Sequence, residues 1–249
     1  MQVWWTLTRR ELAGYFCSLA GYVIIAAAAF LMGLSFVILV MKLQDDPTLM
    51  PVTEVFYLTQ FFWLILLLAV PVITMRLFAL EKFSGTFETL MTTPVSDVQV
   101  VAAKFTAALV FYLVMWLPLL ACLLILRHYT GDVSGFDAGA LGSTYLGILL
   151  LGGVFISLGC FASALTRSQT TAAMISVGFN VSLFLLSFLA AKVSSGDWKA
   201  DVLSRFGLPE QMHDFVRGVA DTRAVVLYVT LTLFFLHLTL RVVESRRWK

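Results

Sequence analysis

The sequence predicts an all-α polytopic membrane protein: six transmembrane helices, an N-terminal interfacial helix, a short helix in the first cytoplasmic loop and an outer amphipathic hairpin before the last span. Three observations predict it. Of 249 residues, 60% are hydrophobic and 13% charged, where soluble domains carry about 25% charged, and mean hydropathy is +0.91. Six apolar runs reach the roughly 20 residues a helix needs to cross about 30 Å of hydrocarbon with its backbone satisfied internally. Basic residues also segregate to alternate loops.

Residues 1–17 contain "VWWTLTRRELAGYF", which sets Val3, Leu7 and Glu11 on one line, with Trp4, Trp5, Thr8 and Leu12 beside them and Arg9 and Arg10 close by. Such a moderately amphipathic, aromatic and basic helix lies in the membrane interface, or anchors a boundary through Trp and Arg. Ser18 to Met41 follows. Its length, about twice a signal-peptide core, marks it as a retained first span. The other spans are Phe56 to Met75, Val98 to Leu126, Ala138 to Leu165, Ser168 to Ala191 and Ala224 to Val242, all within one membrane domain covering 1–249.

Loops on one side hold ten of the 17 basic residues against five acids, and the opposite loops hold seven against ten, giving +5 and −3. The positive side is expected to be cytoplasmic, with both termini on it. Pro71 and Pro118 fall inside spans two and three and predict bends. The fourth span carries Gly152 and the small-xxx-small pairs Gly153/Ser157 and Gly159/Ser163. Small residues let helices approach closely in lipid, so this span is placed centrally.

Between spans two and three, residues 76–94 mix Leu77, Phe78, Leu80, Phe87 and Leu90 with Arg76, Glu81, Lys82 and Glu88. "SG" at Ser84 and Gly85 splits the segment into two short helices, the second starting near Thr86 and stopped before Pro94. "SDVQ" at Ser96 to Gln99 is a capping box opening span three. In the outer loop 192–223, Pro209 suits a first helical position, and Met212, Phe215, Val216 and Val219 recur at helical spacing. His213 is expected on the solvated face of that helix, and Asp221 as the N-cap of span six.

The chain has no phosphate-binding loop, no H-E-x-x-H pair and no G-x-S-x-G turn. Cys17, Cys122 and Cys160 lack metal-ligand spacing and read as small apolar residues. No Asp, Glu or Lys lies midway along a span, and Lys104, two turns into the third, is expected to snorkel to the headgroups. Ion-coupled carriers and intramembrane enzymes are therefore disfavoured, and an energy source on another chain is favoured. Nothing points to nucleic acid.

"MRLFALEKFSGTFETLMTTPVSDVQVVAAKF", the fourth span with "TRSQ", "FVRGVADTR" and the tail "RVVESRRWK" together resemble the membrane subunits of type-2 ABC exporters, in particular those similar to the gliding-motility-associated permease. Leu80 stands where a second acid is common there, and Phe87 where Leu is frequent. The resemblance implies a half-transporter without bound cofactor. It also implies pairing with a second permease copy or a related permease, two separate ATPase subunits that bind ATP and Mg, and an accessory component on the periplasmic side of a bacterial inner membrane. The segment 76–94 becomes the coupling helix, with Phe78, Phe87 and Leu90 as anchors, Arg76, Glu81, Lys82 and Glu88 as polar contacts, Gly85 as the bend and Thr86 as the second start. Gly152, Gly153, Ser157, Gly159 and Ser163 are expected to pack helices. The competing reading is a scaffold that anchors a cytoplasmic protein and transports nothing.

Overall fold

The computed structural model describes residues 2–45, 52–87, 95–130, 138–192 and 207–247. In chain order the helices are α1 (Gln2–Phe16), α2 (Leu19–Asp45), α3 (Val52–Leu58), α4 (Phe61–Thr74), α5 (Ala79–Ser84), α6 (Asp97–Met115), α7 (Leu117–Thr130), α8 (Ala138–Leu165), α9 (Gln169–Lys192), α10 (Leu208–Val216) and α11 (Thr222–Arg247). No strand occurs among the described residues. Six stretches are long and apolar enough to cross a membrane: Leu19–Met41, Phe61–Ser84, Asp97–His128, Gly139–Leu165, Gln169–Leu186 and Thr222–Ser245.

Local chemistry sets the boundaries. Ser96 Oγ accepts from Gln99 N and the Gln99 side chain accepts from Ser96 N, the capping box that the S-x-x-Q spacing predicts. Asp221 Oδ1 likewise accepts from Arg223 N at 2.9 Å. The second span differs from expectation. Phe56 belongs to α3 rather than to the second span, because the chain turns at Thr59, whose Oγ1 bonds Phe56 O and Ser35 Oγ. The third span is interrupted at Trp116, where the proline predicts a bend: Trp116 keeps a helical backbone, Pro118 offers no N–H to continue the ladder, and the chain goes on as α7 within one membrane-crossing stretch. Pro71 stays inside α4, where Met75 N donates to its carbonyl at 2.9 Å.

Helix α8 is the axis of the bundle. Within its membrane segment 83% of residues are buried, against 50% or fewer in every other span, and it touches α3, α4, α5, α6, α9, α10 and α11. Its glycines explain how so many neighbours fit. A Cβ on Gly159 would lie 2.2 Å from Thr74 Oγ1, and one on Gly152 would lie 2.2 Å from Tyr112 Cε1. A Cβ on Gly153 would meet Thr232 Oγ1 at an ordinary 3.4 Å, and Ser157 Oγ bonds Val154 O in its own helix. Close approach thus rests on Gly152 and Gly159.

At the upper end, near the start of α8, α10 packs onto the bundle. Leu208, Met212, Phe215 and Val216 are buried, and Gly147 leaves the room that Met212 and Phe215 fill. Polar bonds hold α10 too: Ser143 Oγ donates to Phe215 O, Thr53 Oγ1 to Val216 O at 3.0 Å, and Tyr57 Oη to Pro209 O at 2.8 Å. The helix stops at Val216, and Gly218, at φ 93°, turns the chain so that Val219 is exposed, contrary to the expected fourth apolar contact.

His213 is not on a purely solvated face either. Its Nε2 lies 3.0 Å from Glu54 Oε1, which also receives Arg217 Nη2 at 2.7 Å and Nε at 2.9 Å. Glu54 is almost fully buried. Burying a carboxylate is costly unless it is paired, so α3 and α10 are tied at that point. The Arg217 hydrogen bond is the main reason the Glu54 carboxyl titrates below its usual range, with His213 adding to it and burial opposing.

Two outcomes follow from these contacts. Gly159→Ala should lower the thermal midpoint of the purified protein, at a cost of about 1–3 kcal/mol, because Thr74 is β-branched and bonded to Val70 O and cannot yield. Gly153→Ala should leave that midpoint nearly unchanged. Because its native value is depressed, Glu54 contributes stability above the ordinary carboxylate range and loses it as pH falls through the depressed value. Hydrogen-exchange protection of residues 208–216 should therefore fall on acidification in the wild type, and should already be low at neutral pH in Glu54→Gln.

Candidate functional site

The lower end of the bundle, where α8 stops at Leu165, gathers the charged segment after α4. The first turn of α5 leaves backbone N–H groups without helical partners. Ser163 Oγ takes two of them, from Phe78 and Ala79, each at 3.1 Å, and donates to Met75 O at 3.3 Å. Lys82 Nζ reaches the carbonyl of Ala164, where a cation complements the negative end of α8. The start of α5 is therefore fixed to the end of α8 by one hydroxyl and one ammonium.

A second tie is ionic. Lys104 Nζ on α6 lies 2.8 Å from Glu81 Oε1 on α5 and 3.2 Å from Glu11 Oε1 on α1. Arg10 closes the group, with Nη2 2.8 Å from Glu11 Oε1 and 3.5 Å from Glu81 Oε1. Its hydrogen bond to Glu11, with charge from Glu11 and Glu81, raises the Arg10 guanidinium against the opposing effect of burial. Two cations and two carboxylates leave the cluster neutral. Lys104 is 2% exposed, so it does not snorkel as expected: an ammonium two turns inside an apolar span is costly alone, and two carboxylates within reach make burial the cheaper solution. Close approach rather than well-aligned hydrogen bonding holds it. Its Nζ also stands 5.4 Å from the Phe78 ring centroid, a cation–π distance.

The sequence-predicted coupling residues divide by position. Phe78 is 0% and Phe87 7% exposed, so both rings face the protomer, one toward Lys104 and the other 5.3 Å from Lys82 Nζ. In this conformation neither presents an anchor to a docked partner. Glu81 is committed to Lys104, so Glu81→Lys would oppose two ammonium groups and report on folding rather than docking. Gly85 caps α5 with φ 74°, the left-handed geometry the expected bend requires. Thr86 Oγ1 sits 2.8 Å from Ser84 Oγ across that bend. Arg76 is half-buried. Glu88 and Leu90 lie outside the described residues.

Sequence reasoning missed four participants: Arg10, Glu11, Lys104 and Phe83. Phe83 is 78% exposed beside Gly85 and is the large apolar side chain that α5 presents outward. One signal was legible, since a lysine inside a span requires a partner. Which carboxylates serve it depends on how α1, α5 and α6 meet, and no spacing within any of them encodes that.

Chemically, this arrangement holds no nucleophile with an adjacent base, and no cluster of metal-ligating side chains occurs among the described residues. It joins α5 to α8 through Ser163 and Lys82, and α5 to α6 and α1 through the Lys104 cluster. Curated proteins provide no match to the chain. The family model described as "ABC-2 family transporter protein" matches residues 26–217. That stretch spans most of the bundle, from inside α2 to the end of α10. With six membrane-crossing helices around a glycine-bearing axis, the chain belongs to the ABC-2 family of transporter proteins and is a multi-pass membrane component of an ABC transporter.

Proposed function

We propose that this chain is the permease subunit of an ATP-driven exporter, and that the segment 76–94 receives the movement of a separate ATPase subunit. The Lys104 cluster carries the reading. A partner that displaces α5 moves Glu81, and through Lys104 it moves α6; through Arg10 and Glu11 it moves α1. Ser163 and Lys82 bring in α8. One contact point thus reaches four elements of the bundle.

The magnitude supports such a junction. Reversing a two-state equilibrium from 1:99 to 99:1 requires about 5.5 kcal/mol of differential interaction, whereas one exposed ion pair supplies at most about 1 kcal/mol. A receiving segment tied only by surface charges would yield before the bundle did. Removing one partner of a buried pair costs about 3–5 kcal/mol, most of that requirement. In this reading Phe83 joins Leu90, Glu88 and Arg76 as the surface offered to the ATPase, while Phe78, Glu81, Lys82 and Phe87 hold that surface in place. The proposed assembly has two permease chains, this one with a second copy or a related chain, above two ATPase copies that carry ATP and Mg. It lies in a bacterial inner membrane with both termini cytoplasmic.

Purification in mild detergent followed by mass spectrometry of co-purifying chains tests the assembly. A phosphate-loop ATPase is expected, and a cytoplasmic partner without one would favour the scaffold reading. Lys104→Met then tests the junction. It should leave membrane insertion and ATPase association intact while lowering permease-dependent ATP hydrolysis by about tenfold, equivalent to about 1.4 kcal/mol. Wild-type hydrolysis and transport in that variant would assign the cluster to folding alone.

A further inference from the structure

At the upper end, opposite the Lys104 junction, a cavity of about 860 Å³ opens between α10 and the first turns of α11. Its volume suits a small-molecule ligand. Gln211 and Asp214 line it from α10, and Asp221 and Arg223 from the start of α11. Val226 and Leu227 form its apolar floor. Exposed side chains of both signs therefore border an apolar surface.

That floor continues downward. Val226, Val229 and Leu233 are 59%, 43% and 61% exposed and follow one another at helical spacing along α11, which is long and apolar enough to cross the membrane. An occupant with a polar head in the cavity could lay acyl chains along this strip without leaving the bilayer. The charges narrow the head. A guanidinium binds phosphate oxygens bidentately, whereas two carboxylates repel a purely anionic ligand and favour a group with N–H donors. A divalent cation fits poorly because Arg223 shares the site. Asp221 Oδ1 already accepts from Arg223 N, and Asp214 lies near Arg217, which is itself committed to Glu54. The two acids thus retain carboxylate capacity for an ammonium.

We propose that this cavity binds an aminophospholipid, with phosphate on Arg223, primary ammonium between Asp214 and Asp221, and acyl chains along Val226, Val229 and Leu233. The arrangement selects phosphatidylethanolamine over phosphatidylcholine, whose quaternary ammonium has no N–H to donate, and over phosphatidylglycerol, which has no cation. Selection of this kind requires no ATPase, so it stands or falls independently of the coupling reading.

The full-length protein, reconstituted in nanodiscs with equal parts phosphatidylethanolamine, phosphatidylcholine and phosphatidylglycerol, would be released into native mass spectrometry and its retained lipids identified. Phosphatidylethanolamine should be retained preferentially. Arg223→Gln, and Asp214→Asn with Asp221→Asn, should each weaken retention at least about tenfold, since each removes one or more charge-assisted hydrogen bonds. Asn caps a helix as well as Asp does, so an unchanged thermal midpoint in the double variant would separate lost binding from lost folding. Equal retention of the three lipids, unchanged retention in both variants, or displacement by soluble glycerophosphoethanolamine as readily as by intact lipid would overturn the proposal. So would efficient Val226→Cys cross-linking between two copies of the chain, which would show a second protomer filling the space.

Discussion

One buried ammonium organises the lower half of this protein. Lys104 sits inside an apolar span at 2% exposure, and it is stable there because Glu81 and Glu11 bring carboxylates from two other helices to within 3.2 Å. Each partner is a condition of the others. Removing the lysine leaves Arg10 as the one remaining cation on both carboxylates, and removing the carboxylates leaves a cation in hydrocarbon, so α1, α5 and α6 are held through one shared cluster. This mutual dependence fits a part that transmits force better than one that only adds stability.

The axis around which that arrangement turns is made differently. In lipid, apolar side chains gain nothing by leaving the solvent, so helices associate through close packing and polar contacts. At Gly159 and Gly152 the helix surface is low enough for Thr74 and Tyr112 to approach where any Cβ would collide. Four residues after Gly159, on the same face, Ser163 satisfies the N–H groups exposed where α5 begins. Packing and hydrogen bonding therefore act on one stripe of one helix, and the charged segment is delivered to the same place in every folded copy.

The upper end uses the same economy with an opposite polarity. There a buried carboxylate, Glu54, draws in Arg217 and His213 and holds α10 across the mouth of the bundle. A cation is buried at one end and an anion at the other: Lys104 links the short helix α5 to α6 and α1, and Glu54 links the short helices α3 and α10 to each other. The short helices α3, α5 and α10 have too little apolar length to cross a bilayer; burying an ion against their neighbours fixes their position.

Much of this was written in local patterns. Apolar run length set the six spans, the Ser96 to Gln99 box and Asp221 set two helix starts, and Gly85 set the bend, because each depends on residues within a few positions of one another. The central place of the fourth span was legible from its glycines. Pro118 placed the interruption at Trp116, whereas tertiary structure alone decided the inward rotation of Phe78 and Phe87 and the partners of Lys104 and His213. Those outcomes depend on which helices meet, and the energy that selects them comes from charges and rings separated by up to 163 positions in the chain, as Glu54 and Arg217 are. Sequence determined what each segment could tolerate around it, and only the assembled bundle decided what was there.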